Sequence, residues 1–248
     1  MEGIALGILN FKRIFNLIGS VESPVVGGRL KHEIYMTENR IDIFEKLLGI
    51  DPPYHKKTVM VDLKAKWIEQ AKEKINYDPN FKYIAVQISC ATPIRTYPPE
   101  EMVKIGKLFD DRKFKIIWLG GIEDWFKAYR HLFFDFGINL IGKTDLSELI
   151  AICYLSDLII APDSSAVHIS ATFNKPCIAL FGNINPYLRV AYYPKVKALF
   201  PSQVDCPNFP CGDNVMSKCY LKPQKQIGGD CIRSLNAEEI YNEAMKLL

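Results

Sequence analysis

The apolar positions of this chain fall into short runs, separated by turn residues and by segments of helical periodicity. Residues 83–88, 114–119, 158–161 and 177–181 are such runs. Each suits a strand covered on both faces and is short for a helix. Residues 58–61, 139–141 and 197–200 read as shorter strands. Between the runs the period changes. Apolar residues at 41, 43, 44, 47 and 48 form a helical stripe closed by Gly49, a good C-cap. A charged amphipathic helix is expected over 63–76. Pro98-Pro99-Glu100-Glu101 opens another, with proline and acids in its first turn. Further helices are expected from the turn at Gly120-Gly121 to about 134, from about Asp145, over 166–173 and from Asn236, whose stripe is Ile240, Ala244, Leu247 and Leu248. Residues 187–193 read as a loop. Strands alternating with helices predict an α/β protein with a doubly wound, Rossmann-like parallel sheet.

The best-defined stretch is 157–182. An apolar strand ends in the turn Pro162-Asp163-Ser164-Ser165, a short helix follows, Asn174-Lys175-Pro176 stops it, and a second strand closes at Gly182. This is one βαβ unit. In open α/β sheets ligands bind beyond the carboxyl ends of the strands. A helix N-terminus there offers unpaired N–H groups to phosphate. Asp163 and Ser164 are equally good N-caps, so simple capping is the competing reading. His168 lies one turn into the helix, beside Ser164 and Ser165. It is either a structural histidine or faces the same opening. As a cation there, its contribution would fade as the pH rises through its pKa.

Length and charge narrow the picture. A chain of 248 residues makes one large or two small domains. The net charge of +3 comes from interspersed acids and bases, so nothing calls for a nucleic-acid partner. No apolar run has spanning length, and the apolar start lacks a basic leader and a cleavage site. A cytoplasmic protein is expected. Cys90, Cys153 and Cys177 sit in predicted elements and suit buried small side chains. Cys206, Cys211, Cys219 and Cys231 do not have paired C-x-x-C spacing, which speaks against zinc but leaves thiols, disulfides and a metal open.

Asp163-Ser164-Ser165-Ala166-Val167-His168, followed by Asn174-Lys175-Pro176-Cys177-Ile178-Ala179-Leu180-Phe181-Gly182, resembles a known signature. It is D-[ST]-G-x-x-H … G-K-P-x-x-x-[LI]-[FY]-G of the heptosyltransferase-like glycosyltransferases, glycosyltransferase family 9. Residues 142–149 resemble that family's G-x-T-[SD]-L-x-E-L, and 89–98 its HPGS…K-x-W-P loop, with Arg95 on the lysine and Tyr97 on the tryptophan. Ser165 stands where the family has glycine.

The resemblance implies a GT-B fold, of which residues 51–248 would be the C-terminal nucleotide-sugar donor-binding domain. Residues 1–50 would be the remnant of an N-terminal acceptor domain, with the linker at Asp51-Pro52-Pro53. It implies an inverting glycosyltransferase that moves a sugar, heptose by preference, from a nucleotide-diphosphate donor to lipopolysaccharide or a related glycan. Ser89, Arg95, Asp163, Ser164, Ser165 and His168 would bind donor, with Glu123 at the nucleoside and Asn183 facing the donor. No cofactor and no metal are called for, because these groups and the helix N-terminus stabilise the leaving diphosphate.

The family's catalytic base lies in the acceptor domain, so no base is named here and little transfer by the chain alone is expected. The expected partners are a separate acceptor domain or a second copy, with peripheral contact at the inner membrane face. The competing readings are a nucleotide-sugar-binding module that transfers nothing, and a GT-B-like enzyme such as a sugar-nucleotide epimerase.

Overall fold

The computed structural model describes residues 25–26, 29–30, 39–51, 53, 57, 60–109, 113–121, 129, 131–133, 136–206, 209–211 and 227–248. A two-residue antiparallel pair, β1 (Val25–Val26) and β2 (Arg29–Leu30), comes first. Helices α1 (Arg40–Leu48) and α2 (Ala65–Ile75) follow. The main sheet is built from β3 (Lys82–Gln87), β4 (Phe114–Leu119), β5 (Ile138–Asn139), β6 (Leu158–Pro162), β7 (Cys177–Leu180) and β8 (Val196–Leu199). Its helices are α3 (Pro99–Leu108), α4 (Leu146–Leu155), α5 (Ser165–Thr172), α6 (Tyr187–Val190), α7 (Asp230–Arg233) and α8 (Ala237–Met245).

The six strands lie in the order β5-β4-β3-β6-β7-β8, and every pairing is parallel. The chain winds outward from β3 through β4 to β5, returns to the far side of β3 as β6, and winds outward again to β8. This is the doubly wound topology, with its switch point between β3 and β6.

The apolar runs follow from burial on both faces. In β3, Ile84 and Val86 join the core beneath α3 and α8, while Tyr83 and Ala85 join the core beneath α2, α4 and α5; all four are fully buried. Successive strand residues point to opposite faces, so a strand covered on both sides needs no polar alternation. Trp118 of β4 fills the first core, and Gly106 of α3 lets the helix approach it. A Cβ at Gly106 would stand 2.3 Å from the indole ring. Cys90, Cys153 and Cys177 are buried free thiols; Cys219 lies outside the described residues.

Some expected boundaries change. Of the strand expected over 58–61, the described residues 60–61 are not strand. Residues 187–193 are not all loop, because Pro186 starts the single turn of α6. Little of the helix expected to reach about 134 is described, and residues 131–133 form a 3-10 turn. The segment 4–18 lies outside the described residues. The stripe ahead of the sheet does form a helix, and Gly49 ends it at φ 65°, the left-handed conformation that favours glycine.

Candidate functional site

A cleft of about 580 Å³ opens at the carboxyl ends of β3 and β6, the switch point of the sheet. Loops after β3, β4 and β6 floor it, the start of α4 forms one lip, and Arg40 of α1 reaches in from outside the sheet. Gly120, after β4, is glycine for packing: a Cβ there would stand 2.8 Å from Ile88 and 3.2 Å from the Ser89 hydroxyl.

The loop after β3 is held by its own side chains. Thr96 Oγ1 donates to Thr92 O (3.1 Å) and accepts from Cys90 N (3.3 Å), and Gln87 Nε2 donates to Ser89 O at 2.8 Å. Pro93 starts a 3-10 turn, Pro93–Arg95, that places the last of its residues. Arg95 is therefore no solvated loop cation. Its Nε donates to Thr92 Oγ1 at 3.1 Å, and one terminal nitrogen reaches the Asp163 carbonyl at 3.1 Å and its carboxylate at 3.4 Å. Asp163 is buried, and Arg189 Nε lies 4.0 Å from the same carboxylate oxygen. Two guanidinium groups thus compensate one carboxylate, as a buried charge requires.

At the start of α5 the capping reading meets an obstacle. Ser164 is the N-cap residue by backbone geometry, with extended φ and ψ, yet its side chain caps nothing. Its Oγ is buried and has no hydrogen-bond partner. A buried unpaired hydroxyl costs about 1–3 kcal/mol, so this one is short of a ligand or a water.

His168 lines the cleft one turn further along. Its Nδ1 lies 2.8 Å from the Tyr193 hydroxyl, and the two rings meet edge to face. Burial holds the imidazole below the ordinary histidine range; Asp163 pulls the other way, while Arg40 and Arg189 reinforce the shift. Burial therefore favours the neutral imidazole. Burial pushes the Tyr193 phenol up to about 12, so that hydroxyl keeps its proton. Where it donates to Nδ1, the neutral ring carries its own proton on Nε2.

Of the residues singled out in the sequence, Ser89, Arg95, Asp163, Ser164, Ser165 and His168 converge on this cleft. Asn183 does not line it and is buried instead. Glu123 lies outside the described residues. The sequence reading missed Arg40, Cys90 and Thr144 in the cleft wall, and Arg189 behind Asp163. Thr144 was read only as a cap, and Cys90 only as a buried thiol. Among the described residues no group of three or more His, Cys, Asp or Glu could hold a metal ion, and no helix is long and apolar enough to cross a membrane.

The comparisons with known proteins agree with this architecture. The family model for glycosyltransferase family 9 (heptosyltransferase) matches residues 29–215. Lipopolysaccharide heptosyltransferase 1 of Campylobacter coli is 23% identical over 271 residues, covering 89% of this chain and 77% of that protein. A solved family 9 glycosyltransferase from Veillonella parvula superposes with a TM-score of 0.63 at 20% identity, over 85% of this chain and 60% of that one. The E. coli ADP-heptose lipopolysaccharide heptosyltransferase II gives 0.59 at 13%, over 76% and 53%. At these identities the structural likeness is one of fold, shared with GT-B heptosyltransferases, and the chain spans little more than half of each solved relative. The family match, however, extends from β2 through every turn that floors the cleft, and on that ground the chain belongs to glycosyltransferase family 9, the heptosyltransferases.

Proposed function

We propose that the cleft binds the donor of a glycosyl transfer, a nucleoside diphosphate sugar, with the diphosphate over the start of α5. ADP-heptose is the donor we favour, and lipopolysaccharide or a related glycan the acceptor, in a reaction at the inner face of the membrane. The observation that carries this reading is the helix start at Ser164: a buried hydroxyl without a partner, beside helix N–H groups that its side chain does not cap, with Arg95 at hand. A diphosphate supplies acceptor oxygens for all three.

In the transfer, an acceptor hydroxyl attacks the anomeric carbon from the face opposite the diphosphate. The bond from that carbon to the phosphate oxygen breaks, the hydroxyl proton passes to a base on the acceptor side or to water, and the configuration inverts. Negative charge grows on the departing diphosphate. Arg95, Ser164 and the α5 N-terminus are set where that charge grows, and preorganised donors of this kind lower the barrier. Ser89 and Ser165 add hydroxyls along the same floor. Asp163 is engaged by Arg95 and Arg189, which suits it to hold the turn in shape and to accept from a donor hydroxyl, not to meet phosphate. The sheet domain, residues 51–248, is the donor-binding part in this reading.

Titration calorimetry with ADP, GDP, UDP and adenosine tests it. The expected outcome is binding of ADP well below millimolar, tighter than GDP, UDP or adenosine. No heat from any diphosphate at millimolar ligand overturns the donor reading. Equal affinity for ADP and adenosine overturns the placement of the diphosphate.

A further inference from the structure

One wall of the cleft is not made by the sheet. Arg40, the first residue of α1, lines the same cavity as Arg95, Ser164 and His168. A cation is out of place there on helical grounds, because the first turn of a helix favours acids. Its packing is also incomplete: Arg40 Nε is buried and makes no hydrogen bond. An unpaired buried donor on a charged group is costly, more so than on a neutral one. Asp163, the buried carboxylate of the cleft floor, is already engaged by Arg95 and Arg189.

The helix that carries Arg40 is fixed in place. Asn39 caps it, its Oδ1 accepting from Ile41 N at 2.9 Å, while its Nδ2 donates to Tyr187 O at 2.6 Å. The Tyr192 hydroxyl lies 2.6 and 2.8 Å from the two carboxylate oxygens of Asp42. These bonds tie the first turn of α1 to the segment that follows β7. Arg40 is therefore presented to the cleft by a braced helix, close enough for its charge to be felt at His168 and Tyr193.

We propose that Arg40 is a binding residue for the diphosphate, donating from Nε and a terminal nitrogen to phosphate oxygens from a wall other than the one that holds Arg95. The planar fork of arginine suits two oxygens of one phosphate, which lysine would meet only as a point charge. The anion site is then shared between the sheet domain and the helix ahead of it. This inference rests on the nucleoside-diphosphate reading of the cleft.

The test compares the wild-type chain with Arg40→Gln and Ser164→Ala by calorimetry, using ADP and adenosine. Arg40→Gln is expected to weaken ADP roughly tenfold or more, the scale of a lost hydrogen bond to a charged group, and to leave adenosine within about twofold. If Arg40→Gln leaves ADP unchanged while Ser164→Ala weakens it, Arg40 is not a ligand and the cleft reading survives. If ADP and adenosine weaken together, Arg40 acts on the shape of the cleft and the inference fails. If the wild-type chain binds no ADP, both readings fail.

A second measurement covers loss of folding in Arg40→Gln. In the wild-type chain, the Arg40 Nε–H resonance, identified by its absence from Arg40→Lys, should shift on adding ADP and stay in place with adenosine. A resonance that ADP leaves unmoved overturns the proposal.

Discussion

Two helices begin at the rim of one cleft, and their first turns are finished differently. The N-cap of α4 is Asp145, which accepts from Glu148 N at 2.8 Å, while Glu148 Oε2 accepts from Asp145 N at 3.0 Å. This is a complete capping box, and Lys74 braces it from α2, its Nζ 2.6 Å from Glu148. The N-cap of α5 is Ser164, a residue type that caps well, and it makes no such bond. Both helix starts carry the same unpaired N–H groups in principle. One is sealed by the chain's own carboxylate, and that carboxylate would also repel phosphate. The other is left open, with a cation beside it. On the proposed donor reading, the anion would lie at α5 and the nearly uncharged part of the ligand toward α4.

The comparison breaks most visibly at Ser164. Ser164→Ala is expected to weaken ADP roughly tenfold, about 1.4 kcal/mol, and to leave adenosine unchanged. Its melting temperature should not fall, because no cap bond is lost and a buried unpaired hydroxyl is removed. A lower melting temperature with unchanged ADP affinity would return Ser164 to the role of a plain cap.

The converse holds at α4. Asp145→Ala removes a working cap, so the melting temperature should fall by roughly 2–4 °C in a chain of this length, with ADP affinity unaltered. If that variant instead alters ADP affinity and melts normally, the two helix starts have been assigned the wrong way round.

The smallest effect concerns pH. The His168 imidazole titrates below its ordinary range in the fold, because burial disfavours its charge. Below about pH 6.5 the unfolded chain therefore takes up the proton first. The stability contributed by the neutral ring is fully present above that pH and is lost as the pH falls through the folded value. Melting curves at pH 7.5 and 5.5 should show a drop that His168→Gln reduces. ADP affinity, by contrast, should be flat between pH 7 and 9, where the ring is already neutral. A steady loss of ADP affinity across that interval would show that the ring binds as a cation after all.

How legible this was varied with the kind of feature. The strands were read from short, mostly apolar runs, since Ile84, Ala85 and Val86 are apolar for two different cores. Helix ends carried local signals too, as at Gly49 and Asn236. The one-turn helix at Tyr187–Val190 was missed because four residues hold too little periodicity to register. In the cleft, the turn after β6 was found because it joins a strand end to a helix start, whereas Ser89 and Arg95 after β3 came from the family resemblance alone. Arg40 was not, since nothing in a helical stripe ahead of the sheet says that its first residue meets a turn far along the chain. Arg189 was not, since its tie to Asp163 exists only once β6 and the segment after β7 are side by side.

The sequence by itself determined what is local: the alternation of strands and helices, the parallel winding that follows from it, and the Asp-Ser-Ser turn at a helix start. These depend on backbone periodicity, caps and stops, whose causes lie within a few residues. Only the tertiary structure decided which groups are satisfied and which are left over. Asp145 and Ser164 are comparable caps on paper, and Arg40, Arg95 and Arg189 are comparable cations. Burial and long-range hydrogen bonds pair Asp145, direct Arg95 and Arg189 to Asp163, and leave Ser164 Oγ and Arg40 Nε without partners at one cavity. That distinction is a matter of who stands next to whom across the fold.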